Sequence, residues 1–173
     1  MFQVKTFLQN PYVIYPGPEQ VRQGVFTKYF FDMEDQKNNE EIKRIVEKRG
    51  NVYGCVHISL NNKVILDDEI MERLPLYWIM WIETIEDYLQ MTDVVKTVAM
   101  EPYFSLTKSD NNCLTFSYGG GFYSFLLPEK EFLIAVLQGG RNFFARYLEL
   151  RFTPYPLSAA EKLESLIMLV NRL

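Results

Sequence analysis

The stretch LPLYWIMWIETIEDYLQM at 74–91 constrains this chain more than any other. Both tryptophans of the protein fall in it. Leu74, Tyr77, Trp78, Trp81, Ile82, Ile85, Tyr88 and Leu89 recur at the i, i+3, i+4, i+7 spacing that lines one side of an α-helix. Glu83, Glu86, Asp87 and Gln90 fall on the other side. Apolar surface of this extent is driven out of water, so the spacing predicts a helix with one face in a core and a row of carboxylates outside it. Trp78 and Trp81 are expected to be buried.

The flanking sequence predicts antiparallel strands. FQVKTFL at 2–8 alternates as an opening strand, the Pro- and Gly-containing segment 11–18 reads as a loop, and VFTKYFFD at 25–32 reads as a second strand. Asn38 or Asn39 then caps a mostly exposed helix with a narrow stripe of Ile42, Ile45 and Val46, closed by Lys48, Arg49 and Gly50. In VYGCVHISL-NN-KVIL, two strand-like runs meet at Asn61 and Asn62, residues that tolerate the left-handed backbone of a tight turn, so a hairpin is expected. Asp67 and Asp68 are cap candidates ahead of the central helix, with Pro75 in its first turn. After a connection with some extended character, segments 102–109, 113–118 and 121–127 read as a three-strand meander turned by 109–112 and 119–121. Pro128, Glu129 and Glu131 open a long helix to about residue 150 whose Gly139–Gly140 pair marks a kink or a close contact. Ser158 caps a last helix with Leu163, Leu166, Ile167 and Val170 inward. The fold class is α+β: an antiparallel sheet with hairpin and meander packed against about four helices.

At 173 residues and 48% hydrophobic, the chain is expected to form one domain over 1–173. It has neither an apolar run of about 18 residues nor the pattern of a signal peptide, so a cytoplasmic, non-membrane protein is expected. Two cysteines, Cys55 and Cys113, fit free thiols in a reducing compartment. The net charge of −4 argues against nonspecific binding of nucleic acid. The charge is also segregated: residues 67–101 hold nine acids and two bases, whereas the remainder is slightly basic. The bland reading of this acidic window is a solvated helix face. The functional reading is a docking surface for a basic protein partner, made of Asp67, Asp68, Glu69, Glu72, Glu83, Glu86 and Asp87.

Candidate chemistry is sparse, and no catalytic residue, cofactor or metal is expected. His57 is the only histidine, so an imidazole base must be this residue. On a strand it shares a face with Cys55, about 6 to 7 Å away, too far for the hydrogen bond of a thiolate pair. Zinc would have to recruit Cys113 and a carboxylate from elsewhere. Gly119–Gly121 lacks the Lys-Ser/Thr of a phosphate loop and leads into a strand. Asp67, Asp68 and Glu69 are adjacent, so their side chains diverge rather than converge on Mg²⁺. Arg141, Arg146 and Arg151 lie among Phe143, Phe144 and Tyr147, but helical spacing assigns Phe144, Tyr147 and Leu148 to a core and leaves Arg141 and Arg146 partly solvated.

The order of HISLNNKVIL, the Trp-rich acidic helix LPLYWIMWIETIEDYL, the strands LTFSY and FYSFLL, and the closing FLIAVLQGGRNFFARYLEL resembles that of immunity proteins from bacterial polymorphic-toxin and contact-dependent inhibition systems. The resemblance spans residues 52–151 and carries no signature motif, so no binding residue transfers by matching. It implies a small cytoplasmic protein that binds and blocks a cognate toxin domain, often a basic nuclease, without catalysis. Two other readings stand beside it: a small enzyme using His57 and Cys55, and a non-catalytic subunit of a larger assembly.

Overall fold

The first sheet is antiparallel throughout and joins β1 (Phe2–Gln9), β2 (Phe30–Asp32), β3 (Tyr53–Leu60), β4 (Lys63–Leu66) and β5 (Met71–Arg73). Its order is β2-β1-β3-β4, with β5 also on β3. The computed structural model describes residues 1–23, 26–49, 52–90, 95–96, 104–152 and 157–173. Its chain falls into two units: Met1–Tyr77 with Arg141–Pro156, and Trp78–Gly140 with Leu157–Leu173. The architecture is α+β, as the sequence pattern implies.

In the unit that holds the first sheet, the expected hairpin forms. Asn61 and Asn62 adopt φ of 49° and 66°, the left-handed values that asparagine accepts more readily than other side chains. Gly54 of β3 is dictated by its neighbour, because a Cβ there would lie 1.9 Å from the Phe7 carbonyl oxygen. The register sets Phe7 beside Cys55 and Lys5 beside His57, so these four share one face of the sheet. That face is packed by Val21 of α1 (Pro18–Gln23), by Phe26 of α2 (Phe26–Tyr29), and by Phe30 and Tyr15.

Segment 25–32 departs from the strand expected of it. Phe26 to Tyr29 form a helical turn and only Phe30–Asp32 pairs with β1, while Val25 lies outside the described residues. The cause is ring packing: Phe26 and Phe30, four residues apart, stack at 4.6 Å, and Phe26 also meets Phe7 edge-on at 4.9 Å. A strand would send residues four apart about 13 Å along its axis. Helix α3 (Asn39–Arg49) buries Ile42 and Ile45 as expected, but neither asparagine caps it by a side-chain bond to its own helix. Asn38 Nδ2 donates to the Asp32 carbonyl at 3.0 Å, and Asn39 Oδ1 accepts from Arg146. Arg146 is buried rather than partly solvated, donating also to the Met33 carbonyl at 3.0 Å and to Glu149. Leu148, expected in a core with Phe144 and Tyr147, is 57% exposed.

The other unit is assembled from rings. Of the meander expected at 102–127, residues 102 and 103 lie outside the described ones and the rest is present as β7 (Phe104–Ser109), β8 (Cys113–Tyr118) and β9 (Tyr123–Pro128), with β6 (Val95–Lys96) added before β7 in the order β6-β7-β8-β9. Alternation along the strands turns Phe104, Leu106, Leu114, Phe116 and Tyr118 inward. The central helix α4 (Leu74–Gln90) lays Trp81 flat on Phe104 at 4.0 Å and near Phe116 at 5.5 Å. Phe132 of α5 (Glu129–Glu149) closes that cluster at 6.2 Å from Trp81. Trp78 and Trp81 are both buried, as their spacing requires. Of the Gly139–Gly140 pair, Gly140 is explained by close contact: a Cβ there would stand 3.0 Å from Trp78 and 3.3 Å from Leu163 of α6 (Leu157–Val170). Leu163, Leu166, Ile167 and Val170 are buried, while Ser158 lies within the helix instead of capping it.

Candidate functional site

The seven acids named above as a candidate docking surface divide between the two units. Asp67, Asp68, Glu69 and Glu72 belong to the first unit, and Glu83, Glu86 and Asp87 to the second. Asp67 and Asp68 are interior, 9% and 2% exposed. Neither caps α4, because β5 stands between them and the helix: Asp67 Oδ1 accepts from the Glu69 amide at 3.2 Å within a turn, and Asp68 Oδ2 accepts from the Tyr15 hydroxyl at 2.9 Å. Burial and that carboxylate push the Tyr15 phenol well above its ordinary range. Glu69 and Glu72 are half-buried, and Glu72 accepts from the Arg73 amide.

Helix α4 presents the remaining three. Periodicity that buries Trp81, Ile82, Ile85 and Tyr88 leaves Glu83 and Asp87 exposed, one turn apart. Glu86, half-buried between them, pairs with Lys162 of α6. Glu83 and Asp87 make no salt bridge among the described residues. Like charges at i and i+4 work against a helix, so this face is not arranged for stability. A surface of this kind attracts cations and basic protein surfaces over a screening length of about 8 to 10 Å.

A second candidate lies on the first sheet: a pocket of about 320 Å³ lined by Gln3, Lys5, Phe7, Phe26, His57, Val64, Asp67 and Asp68. Its polar side chains are poorly suited to nucleophilic chemistry. Burial drives the Cys55 thiol well above its ordinary range, with Asp68 and Asp67 adding to the rise, so the thiolate is suppressed. Burial also lowers the His57 imidazole against the opposing pull of Asp67, which keeps the ring neutral near pH 7. Lys5 is engaged by Asp32 at 2.7 Å. Cys113, which a zinc site would have needed, belongs to the other unit, and no group of three or more His, Cys, Asp or Glu among the described residues is placed to hold a metal.

The strand-pairing register is what gathers Gln3, Lys5 and His57, and nothing in the sequence reveals that β1 is the neighbour of β3. No local pattern marks Tyr15 either, which sits in a loop and meets Asp68 across 53 residues. No helix of the described residues is long and apolar enough to cross a membrane. No protein family, curated protein or solved structure matches this chain.

Proposed function

We propose that this chain is a non-catalytic cytoplasmic binding protein, an immunity protein that occupies a cognate toxin domain with a basic surface, and that the outer face of α4 makes the contact. The observation that carries the reading is the unneutralised pair Glu83 and Asp87 on a helix whose opposite face is wholly committed to a ring core. A rigid backing of this kind holds the two carboxylates in a fixed relation, which favours fast and selective capture of a basic partner over raw affinity. Asp67 and Asp68 contribute through the fold and not through contact, because both are interior. The suppressed Cys55 thiolate supports a binding role over the alternative in which Cys55 and His57 form an enzyme site.

The test is co-expression with the C-terminal domain of a large secreted protein encoded beside this chain's gene, whose presence there is itself an expected result. The expected result is a stoichiometric complex and protection of cells that express the domain, both lost in Glu83→Lys/Asp87→Lys. A chain that neither binds nor protects overturns the reading. So does a fully protective Glu83→Lys/Asp87→Lys variant, which would move the interface off α4.

A further inference from the structure

The edges of the two sheets are treated unequally. In the first sheet β2 is three residues long and ends on Asp32, β4 is four residues and opens on Lys63, and β5 is three residues containing Glu72 and Arg73. In the second sheet β6 is two residues, the second a lysine. Short length and charge are the ordinary devices by which an edge strand is kept from pairing with another chain. β9 has neither. It is six residues long, it ends the sheet among the described residues, and the run GGGFYSFLLP at 119–128 contains no charge. Leu127 faces the core, but Leu126 and Tyr123 of the strand are 67% and 43% exposed, and Phe122 just before it is 92% exposed. The strand's only proline is its last residue, Pro128, so proline does not interrupt the strand before its end.

An uncharged edge that presents a row of backbone donors and acceptors is a template for one more strand. The charge pattern around β9 selects which strand. Glu129, Lys130 and Glu131 follow it immediately and carry a net charge of −1, whereas nothing charged precedes it as far back as Asp110. A second β9 laid antiparallel therefore brings each acidic end against a neutral one. A parallel copy would set Glu129 beside Glu129. We propose that β9 pairs with β9 of a second copy of this chain, about a two-fold axis normal to the sheet near Phe125. The two four-stranded sheets then join into one of eight strands. In that register Ser124 stands opposite Leu126 of the other copy and Tyr123 opposite Leu127. A two-fold pairing is isologous and consumes the unprotected edge of both chains, so the assembly stops at two.

The experiment is sedimentation velocity on the full chain from about 1 to 100 µM, which spans the range where a pairing of one strand on each side is readable. The expected result is a reversible species of twice the 20.4 kDa chain mass. Ser124→Lys/Leu126→Lys places lysines directly opposite one another twice across the axis, and Ser124→Glu/Leu126→Glu does the same with acids. Each alone is expected to raise the dissociation constant at least about tenfold without moving the thermal midpoint, since Ser124 and Leu126 are both exposed. Mixed in equal amounts, the two are expected to recover the dimer. Three results overturn the proposal: a parent chain that stays monomeric throughout, a dimer indifferent to both variants, and a mixture that fails to recover. Open-ended growth of the parent would contradict the two-fold closure.

Discussion

The two units bury different kinds of side chain. The unit built on the first sheet keeps Thr6, Ser59, Asp67, Asp68 and Arg146 inside, whereas the only buried polar residue described in the other unit is Thr84, which donates to the Met80 carbonyl one turn back. The second interior is instead a run of rings from Trp81 through Phe104, Phe116 and Phe132. A ring core gains its stability from area and close packing, and it fails by cavity or by overfilling. A polar interior is secured by particular partners and fails when one is removed. Substitutions in the two units should therefore differ in kind as well as in size.

The largest effect is expected from Trp81→Ala, which removes the ring that Phe104 stacks on and Phe116 packs near and should cost about 3 to 5 kcal/mol in urea unfolding. A loss below about 1 kcal/mol would mean that the ring core is not what holds the second unit. Next comes Tyr15→Phe in the first unit. It changes almost no volume but deletes the hydroxyl that serves Asp68, and it should cost roughly 1.5 to 3 kcal/mol, the range for a hydrogen bond to a charged group. An unchanged midpoint would show that Asp68 needs no such donor. Gly140→Ala separates packing from propensity in the ring core. Alanine gains up to about 1 kcal/mol of helix propensity, but its methyl would press on Trp78 at 3.0 Å, so the net result is expected to be a loss of about 1 kcal/mol. A stabilised Gly140→Ala would mean that Trp78 and Leu163 give way easily.

The smallest effect belongs to His57. Its imidazole is lowered by burial, so between the folded value and 6.5 the unfolded chain binds more protons than the native one. Stability should rise with pH through that window, stay level above it, and fall as acid protonates the unfolded histidine. His57→Gln is expected to flatten this slope without affecting partner binding. A slope that survives the substitution would assign the titration to other groups.

How far the sequence could be read depended on whether the deciding contact was local. The hairpin at Asn61–Asn62 and the α4 stripe follow from backbone preference and period, and both are present as read. The meander strands were legible because alternation and turn residues coincide at Ser109–Asn112 and Gly119–Gly121. Segment 25–32 was misread because Phe26 and Phe30 have the composition of a strand, and only their stacking on each other and on Phe7 selects a turn of helix. Arg146 looked solvated because Met33 and Asn39, which bury it, lie more than 100 residues away. The acidic window was legible as composition but not as a surface: Asp67 and Asp68 turn inward beside strands whose pairing no local pattern states.

The exposed acids on the ring-backed helix are the centre of the functional account, and a rate measurement tests them most directly. Association of the proposed partner, a toxin domain with a basic surface, should be followed by stopped flow across a salt series, for the parent chain and for Glu83→Lys/Asp87→Lys. Glu86 is left intact because it holds Lys162. The on-rate is expected to fall as salt is added, and the variant to be at least about tenfold slower at low salt with an unchanged thermal midpoint. Equal rates for parent and variant at low salt would contradict this, leaving Glu83 and Asp87 as an ordinary solvated face.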